Sequence, residues 1–332
     1  MNTFTRELGR SGIHISGIGL GCWAIGGPFF AGDVAVGWGE VDDDESIRAI
    51  HCGLERDINF FDTSDVYGAG HSEEVLGRAL AGRRNQAVIA TKFGNTFDSA
   101  TRQMTGGNAS PKYIQQACEA SLRRLQTDYI DLYQLHINLT HQQAIEARGA
   151  LEHLVQTGKI RAYGWSTDDA ANARLFAQGP HCTAIQHDLN VIQDSPDVIA
   201  VCETFNLASI NRGPLAMGLL TGKFNTASQL AANDVRGQSL DWMKYFQDGK
   251  PNPEWLTKLD AIRGVLTSNG RTLAQGALAW LMARSPQCVP IPGFRTVVQV
   301  MENSGALQFG PLTPVQMDEI DVLLDRKKTS LA

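Results

Sequence analysis

Short apolar runs alternate with amphipathic stretches along most of this 332-residue chain. Eight of the apolar runs have the length and composition of buried β-strands: they are residues 18–22, 58–62, 87–91, 130–134, 160–165, 183–187, 207–210 and 288–291. Seven stretches between them have the spacing and start signals of helices: they are residues 44–56, 72–81, 111–126, 141–157, 168–178, 194–205 and 254–268. This α/β alternation is typical of a parallel sheet covered by helices, either an open doubly wound sheet or a closed (β/α)8 TIM barrel. The count of eight strands favours the barrel.

Three segments lie outside this alternation. Residues 4–17 surround the turn Gly9-Arg10-Ser11-Gly12, which predicts a small N-terminal β-hairpin that plugs one end of the barrel. Residues 272–284 and 314–326 exceed the number of helices that the barrel needs. We therefore expect these two extra helices to pack across the barrel flank.

Two polar segments are long enough to form walls of a site, because long loops in compact domains usually serve a function. Residues 223–253 follow the seventh predicted strand and carry an aromatic patch around Trp242, so we interpret them as a cover for substrate or cofactor. Residues 28–43, with Trp38, are a second candidate wall. No linker, repeat or low-complexity tract interrupts the chain, which predicts a single domain over residues 1–332.

Composition excludes several classes of partner. The chain has 29 Lys and Arg against 35 Asp and Glu, a formal charge of -6, and no basic block. Nucleic acids and anionic membranes are therefore not expected as partners, and small molecules are. Six scattered cysteines lack metal-binding spacing, so we expect free thiols in a reducing cytoplasm and no metal site. The N-terminus lacks a signal-peptide core and no long apolar span appears, which predicts a soluble cytoplasmic protein. The oligomeric state stays open.

Polar groups stand at the ends of consecutive predicted strands. Asp62 ends the second strand, Lys92 directly follows the third, and His136 follows the fourth, while Tyr67 lies in the loop after Asp62. The carboxyl ends of barrel strands face one pocket, so these four side chains are expected to meet there.

Together the four residues suit the reduction of a carbonyl, which needs a hydride donor and an acid that protonates the forming alkoxide. Tyr67 is suitable if its pKa is pulled from about 10 toward neutrality. Lys92 would do this by stabilising the phenolate, and Asp62 would hold Lys92 charged. His136 would donate a hydrogen bond to the carbonyl oxygen.

These residues also carry a family resemblance. The run Asp62-Thr63-Ser64-Asp65-Val66-Tyr67-Gly68, followed by Ser72-Glu73-Glu74-Val75-Leu76-Gly77, resembles the signature of the aldo-keto reductase superfamily. Further motifs fit that pattern along nearly the whole chain, at residues 90–93, 131–136, 158–161, 164–166, 214–223 and 291–293. The resemblance implies a (β/α)8 fold, NADPH as hydride donor, and a catalytic tetrad of Asp62, Tyr67, Lys92 and His136 with Tyr67 as proton donor.

The resemblance also implies where the cofactor lies. Ser166 and Gln186 would bind the nicotinamide carboxamide, together with Thr167. The pyrophosphate would run along Gly213, Pro214, Leu215, Gly218 and Leu219, and Lys223 completes this run. The adenosine end would contact Gly293, Arg295, Gln299, Glu302 and Asn303.

Physical chemistry supports the adenosine end independently. A glycine turn that opens a helix presents free N–H groups to a phosphate, and Arg295 adds a charge-assisted fork for a 2′-phosphate. NADPH is therefore predicted over NADH.

A second glycine pattern is a decoy. Gly19-Leu20-Gly21-Cys22-Trp23-Ala24 satisfies the relaxed G-x-G-x-x-A dinucleotide pattern, but Ile25-Gly26-Gly27-Pro28 follows and would break the required helix. We assign Gly21, Cys22 and Trp23 to the end of the first strand, beside the nicotinamide.

Three positions depart from the family pattern. Arg212 stands where many relatives have an aromatic residue that stacks on the nicotinamide, so positioning of the ring by a guanidinium is a hypothesis. Thr167 replaces a common Asn, and Ile137-Asn138 replaces Trp-x-Asp. These two changes affect the carboxamide contacts and the back wall of the substrate pocket.

Residues 212–215 resemble a bacterial branch with glyceraldehyde reductases and glycerol dehydrogenases, which favours NADP-dependent reduction of small hydroxyaldehydes or the reverse alcohol oxidation. Aromatic walls would suit aromatic aldehydes equally. There are two alternatives: a regulatory module that binds NADPH and resembles channel β subunits, and an NAD-dependent sugar dehydrogenase. Measuring the rate of cofactor turnover distinguishes the regulatory module from an enzyme.

Overall fold

The secondary structure reproduces the predicted alternation in a computed structural model that describes residues 4–231, 233–238 and 240–326. The strands are β1 (Thr5–Glu7), β2 (His14–Ser16), β3 (Leu20–Gly21), β4 (Phe30–Ala31), β5 (Val34–Ala35), β6 (Phe60–Asp62), β7 (Val88–Phe93), β8 (Asn95–Asp98), β9 (Gln103–Gly107), β10 (Ile130–Leu135), β11 (Ile160–Ser166), β12 (Cys182–Asp188), β13 (Ala208–Arg212), β14 (Phe246–Gln247), β15 (Lys250–Pro251) and β16 (Cys288–Pro290). The helices are α1 (Asp43–Glu55), α2 (His71–Ala79), α3 (Pro111–Leu125), α4 (His141–Gln156), α5 (Ala170–Ala177), α6 (Pro196–Phe205), α7 (Pro253–Leu266), α8 (Leu273–Arg284), α9 (Val297–Phe309) and α10 (Pro314–Leu323).

Eight parallel strands form a closed barrel. Their order is β3-β6-β7-β10-β11-β12-β13-β16, so the strands follow one another in chain order. The sheet closes where Gly19 donates its N–H to the Pro290 carbonyl at 2.9 Å and Gly21 donates to the Pro292 carbonyl at 3.0 Å. The predicted (β/α)8 barrel is confirmed, and all eight predicted strands belong to it.

The N-terminal hairpin of β1 and β2 plugs the barrel as predicted. Its side chains Leu8, Ile13 and Ile15 belong to the same apolar cluster as barrel residues such as Phe60 and Leu132. The wall around them is lined by small residues, which leave room for the hairpin: Ala90, Ala162, Ala184 and Ala208. Complete burial of an aliphatic side chain stabilises a fold by about 1.5–3 kcal/mol.

Helix starts are set by side-chain caps that satisfy free backbone donors. Asp42 caps α1 through the N–H of Glu45, and Ser110 caps α3 with Pro111 as the first helical residue. The helix that a dinucleotide fingerprint requires after Gly21 is replaced by a single 3-10 turn, Ala24–Gly26.

The identity of one extra helix differs from the prediction. Two helices do lie outside the ring, but they are α7 and α10, which pack against each other and against α8. Helix α8, predicted as an extra helix over 272–284, packs on β16 and α9 and belongs to the ring. The pattern failed here because α8 is apolar nearly all round and offers no polar face that would indicate its orientation.

The chain runs through long segments at the carboxyl ends of the strands. Residues 28–43 contain β4 and β5, and residues 94–108 contain the hairpin of β8 and β9, which the sequence pattern does not predict. These strands form one small sheet in the order β5-β4-β9-β8. Residues 223–253 contain only short elements of secondary structure. Within this segment, residues 232 and 239 lie outside the described residues.

The six cysteines are free, and all but Cys52 are buried. Across the residues that the structure describes, no helix has both the length and the apolar character needed to cross a membrane.

Candidate active site

The four predicted catalytic side chains meet at the carboxyl ends of β6, β7 and β10. Lys92 Nζ donates to Asp62 Oδ1 at 2.5 Å, to the Thr63 carbonyl at 2.8 Å and to the Tyr67 hydroxyl at 3.2 Å. Lys92 is completely buried and Asp62 is nearly so. The ammonium thus joins a buried carboxylate to a phenol, as the sequence predicts.

A close approach of two backbone segments places Tyr67. Gly68 has φ 62°, and a side chain there would bring its Cβ within 1.8 Å of the Gly26 carbonyl oxygen. Only glycine combines that conformation with that contact. The loop after β6 is therefore packed directly against the Ala24–Gly26 turn, which holds the Tyr67 ring over Lys92.

Two buried amides complete the surroundings of Asp62. Gln186 Nε2 and Gln134 Nε2 donate to Asp62 Oδ2 at 2.8 and 3.1 Å. Gln134 is absent from the predicted site, although it is a polar residue in an apolar strand two positions before His136, and alternate strand residues share a face. With Lys92 on Oδ1, both carboxylate oxygens of Asp62 accept hydrogen bonds.

His136 directly follows β10, and its backbone N–H donates to the Phe93 carbonyl at 2.8 Å. Its ring stands edge-on to Tyr67, with 6.0 Å between centroids. Ring atom Nδ1 lies 3.2 Å from the Ser64 hydroxyl. Burial, together with the positive charges of Lys92 and Arg212, lowers the pKa of His136 well below its usual value, so the imidazole is neutral at neutral pH.

The expectation that the pKa of Tyr67 is lowered toward neutrality is wrong. Burial raises the pKa of Tyr67, and the opposing charge of Lys92 does not fully offset it. Burial is the largest single effect on Lys92 and lowers its pKa, but the charges and hydrogen bonds of Asp62 and Tyr67 together raise it more, so the pKa of Lys92 ends above its ordinary value. At neutral pH the site therefore contains a charged ammonium beside a phenol that keeps its proton, which is the form that a proton donor requires.

Aromatic rings form the wall beside Tyr67. Trp23 follows the end of β3 and stacks on Tyr67 at 6.0 Å between centroids, while Trp38 and Trp242 lie against Trp23 at 5.3 and 6.2 Å. The indole N–H groups of Trp23 and Trp38 are buried and have no partner among the described residues. The backbone N–H of Cys22 donates to the Asp62 carbonyl, which joins this wall to the tetrad.

The residues predicted to hold a carboxamide lie on adjacent strands. Ser166 at the end of β11 is paired in register with Gln186 of β12, and the Thr167 N–H donates to the Gln186 carbonyl at 2.8 Å. Thr167 Oγ1 accepts from the Asp169 N–H. The indole of Trp165 donates to the Ile137 carbonyl, so the segment that departs from the family pattern is held by its backbone.

Arg212, at the end of β13, forms a charge-assisted hydrogen bond with Asp168. Its positive charge is close enough to lower the pKa values of both Tyr67 and His136. The guanidinium therefore lies beside the tetrad, and positioning of a nicotinamide ring by Arg212 stays a prediction.

The segment from Gly213 to Leu219 has an unusual backbone. Ala216, Met217 and Gly218 follow one another with φ of 47°, 56° and 92°. Left-handed residues other than glycine are costly, persist only where the surroundings enforce them, and cluster at ligand sites. Five of the six residues predicted along a pyrophosphate lie in this strained turn or within three residues of it: Gly213, Pro214, Leu215, Gly218 and Leu219.

A group of cations lies next to this turn. Burial lowers the pKa of Lys223, and the charges of Arg236 and Arg295 lower it further. Arg236 is buried, is paired with Asp234 at 2.6 Å, and lies over the Trp38 ring at 4.7 Å. Three cations within electrostatic range of one another fit a polyanionic ligand. Arg236 is not among the predicted site residues.

The start of α9 carries the residues predicted for an adenosine end. Gly293 bridges to Gly21 across the barrel closure, and Asn303 Nδ2 donates to the Gly293 carbonyl at 3.4 Å. Glu302 lies near enough to raise the pKa of Lys223. A Cβ on Gly293 would meet no atom closer than 3.9 Å, so there is open space at this strand end.

Backbone N–H groups at this turn are expected to be free for a phosphate, but two of them already donate hydrogen bonds within the protein. The Arg295 N–H donates to Gln299 Oε1 at 2.7 Å, and the Val297 N–H donates to Glu45 Oε1 at 2.9 Å. The Arg295 guanidinium donates to the carbonyls of Trp38 and Glu40. Side chains and a neighbouring loop thus occupy donors that the sequence pattern assigns to a phosphate.

We call the region bordered by the tetrad, the strained turn at residues 216–218 and the start of α9 the groove, and the two long polar segments meet beside it. The Val235 N–H donates to the Gly37 carbonyl at 3.0 Å, which joins residues 223–253 to residues 28–43. Lys244 reaches Asp188 at 3.6 Å, and the Tyr245 hydroxyl accepts from Asn190 at 2.7 Å. Both segments therefore border the site, as predicted from their length and position in the sequence.

Comparison with known proteins gives a consistent result. The model of the aldo/keto reductase family matches residues 17–325. The aldo-keto reductase yakc [NADP(+)] of Schizosaccharomyces pombe is 30% identical over 315 residues, covering 93% of this chain and 88% of the relative.

Solved structures agree with this match. The glycerol dehydrogenase AKR11B4 from Gluconobacter oxydans superposes with a TM-score of 0.82 at 32% identity, over 100% of both chains. An aldo-keto reductase from Klebsiella pneumoniae in complex with NADPH superposes with a TM-score of 0.70 at 26% identity, over 99% of this chain and 97% of that one.

Proposed function

This chain belongs to the aldo/keto reductase family, and from that premise we propose that it transfers hydride between NADP(H) and a small aldehyde or ketone, with hydroxyaldehydes such as glyceraldehyde as favoured substrates. The observation that carries the proposal is the position of Lys92 Nζ, bonded at once to Asp62 and to the Tyr67 hydroxyl. That arrangement places a protonated phenol within hydrogen-bonding distance of a buried ion pair.

In the proposed reaction Tyr67 donates its proton to the carbonyl oxygen of the substrate as hydride arrives at the carbon. Lys92 stabilises the phenolate that remains, and Asp62 keeps Lys92 charged. Neutral His136 donates a hydrogen bond to the same oxygen and so orients the carbonyl. In the reverse direction the same groups remove the proton of an alcohol, and the raised pKa of Tyr67 favours oxidation at higher pH than reduction.

NADP(H) supplies the hydride, and the residues around the groove fit it. Gln186 donates to Asp62 through Nε2, which leaves its Oε1 for the carboxamide, with Ser166 and Thr167 beside it. The strained turn at residues 216–218 and the cations Lys223 and Arg295 suit the phosphates. The NADP(+) in the name of the fission-yeast relative and the NADPH in the bacterial complex support the same cofactor.

The similarity to a glycerol dehydrogenase, which extends over the full length of both chains, supports small hydroxylated substrates.

The test is the oxidation of NADPH and NADH by purified protein with glyceraldehyde and with benzaldehyde, together with the reduction of NADP+ by glycerol. We expect rapid NADPH oxidation with a higher kcat/KM for glyceraldehyde. A preference for benzaldehyde would overturn the substrate assignment alone. Tight NADPH binding without turnover on either aldehyde would indicate a regulatory module and overturn the enzymatic proposal.

Replacing Arg295 by Ala should reduce the preference for NADPH over NADH. A hydrogen bond to a charged group contributes about 1.5–3 kcal/mol, so we expect NADPH binding to weaken by roughly tenfold to a hundredfold. NADH lacks the 2′-phosphate and should bind with nearly unchanged affinity. Titration of cofactor binding by protein fluorescence measures both constants.

The exposed Arg174 on α5 provides a matched control, because Arg174→Ala removes the same charge away from the groove. An unchanged ratio of the two cofactor affinities in Arg295→Ala would assign the 2′-phosphate to another cation, with Lys223 and Arg236 as the nearest choices.

A further inference from the structure

The Ser64 hydroxyl lies between His136 and Asp65. Its oxygen is 3.2 Å from Nδ1 of His136 and 3.3 Å from Oδ1 of Asp65. Ser64 is completely buried and Asp65 is 2% exposed. Ser64 stands two residues after Asp62, at the carboxyl end of β6, and neither Ser64 nor Asp65 belongs to the tetrad.

The neutral state of His136 makes this contact consequential. A neutral imidazole has one N–H and one lone pair, so it exists as one of two tautomers. Among the described residues, Nδ1 has Ser64 as its hydrogen-bond partner and Nε2 has none, which leaves Nε2 for a ligand. The partner of one ring nitrogen decides which nitrogen carries the proton.

We propose that Ser64 is a positioning residue that donates its hydroxyl proton to Nδ1 of His136 and thereby selects the tautomer with the proton on Nε2. The inference rests on the proposed function, since only this tautomer can donate a hydrogen bond to a carbonyl oxygen. The other tautomer would present a lone pair to that oxygen and repel it.

The state of Asp65 supports this direction of the hydrogen bond. Burial raises the pKa of Asp65 well above its usual value, and the Glu73 carboxylate raises it further, while Arg124 opposes both. Arg124 is bonded to Glu73 at 2.7 Å, so its charge is shared with another carboxylate. The Ser64 hydroxyl has one proton, which it can donate either to Asp65 Oδ1 or to Nδ1 of His136, and an ionised Asp65 would compete for it. The raised pKa of Asp65 weakens this competition, because a protonated carboxyl can donate to the Ser64 oxygen instead. Tyr113 and Tyr133 also face Asp65, and both are neutral phenols.

The tautomer can be read directly from the nitrogen chemical shifts of protein labelled with 15N-histidine, with the His136 signals assigned by their loss in His136→Gln. In the wild type we expect the shift of a protonated nitrogen at Nε2 and of an unprotonated one at Nδ1. In Ser64→Ala the two shifts should move toward each other as the tautomers mix. Ser64→Thr retains the hydroxyl and should restore the separation.

The chain offers a matched control outside the site. Ser209 Oγ lies 2.7 Å from Nε2 of His187, and both residues are completely buried. Ser209→Ala should therefore move the signals of His187 and leave those of His136 unchanged. If Ser209→Ala instead disturbed the whole barrel, the nitrogen signals of both His187 and His136 would move.

Kinetics provide the second measurement. Ser64→Ala should lower kcat for NADPH-dependent reduction by about tenfold, the effect of one hydrogen bond, with unchanged KM for NADPH, and Ser64→Thr should recover most of it. The chemical shifts need no turnover, so an inactive wild type with a single His136 tautomer would contradict the proposed function alone. An active wild type whose Ser64→Ala variant keeps both its rate and its shifts would overturn the role of Ser64.

Discussion

Tyr67→Phe is expected to abolish reduction of aldehydes while NADPH still binds. The substitution removes one oxygen, the only atom of Tyr67 that lies within hydrogen-bonding distance of Lys92. A positioned general acid contributes about 10²- to 10⁴-fold to the rate, so kcat should fall by at least about 10²-fold. Single-turnover kinetics with preformed NADPH complex measure the loss on the chemical step.

Tyr163→Phe is the matched control for this variant. The Tyr163 hydroxyl donates to Glu152 at 2.5 Å, on the outer side of β11 against the helices. Its loss should lower the melting temperature and leave kcat unchanged. Retention of the wild-type rate by Tyr67→Phe would remove Tyr67 as proton donor and leave Lys92 or a bound water as the remaining candidates.

The barrel itself could be predicted because its signal is distributed over many residues. Each of the eight strands is a short apolar run, and polar residues such as Asp62 and Lys92 stand at the end where a barrel places its site. The hairpin plug could be predicted from the turn Gly9-Arg10-Ser11-Gly12, and its apolar side chains Leu8 and Ile15 are buried together with barrel residues.

The errors in the fold come from elements whose burial depends on distant partners. Helix α9 received no predicted bounds because Asn303, Ser304 and Gly305 in its middle disfavour a helix. Its packing against α8 overrides that preference, and a Cβ on Gly305 would lie 2.5 Å from Gln275 Nε2. The β8–β9 hairpin likewise depends on β4, which comes from a segment some seventy residues earlier in the chain.

In the site, the residues expected to react with a substrate could be predicted from the sequence. The residues that only hydrogen-bond to them could not. The tetrad residues interrupt apolar runs at strand ends and therefore stand out. Gln134 and Ser64 are ordinary polar residues in the sequence, and only the contacts of Gln134 with Asp62 and of Ser64 with His136 reveal their place. The direction of the Tyr67 pKa shift could not be predicted for a related reason, since the sequence indicates a neighbouring Lys92 but not the degree of burial.

Lys92→Met should destabilise the protein and abolish its activity. Lys92 and Asp62 form a buried ion pair, and removal of the cation leaves the carboxylate with only the amides of Gln134 and Gln186. Breaking a buried pair on one side costs about 3–5 kcal/mol, because an uncompensated charge remains. We expect a decrease of that size in the free energy of unfolding in urea, together with a loss of kcat comparable to that in Tyr67→Phe.

The double variant Lys92→Met/Asp62→Asn separates the two effects. Replacing both partners of a buried pair by neutral groups of similar size is often close to neutral for stability, so the double variant should recover most of the free energy of unfolding lost in Lys92→Met. It still lacks the ammonium that stabilises the Tyr67 phenolate, so its kcat should stay as low as that of the single variant. Recovery of activity together with stability would mean that Lys92 serves the fold and that Tyr67 needs no neighbouring charge. A double variant as unstable as Lys92→Met would mean that the lost stability comes from packing of the lysine side chain and not from the unpaired charge of Asp62.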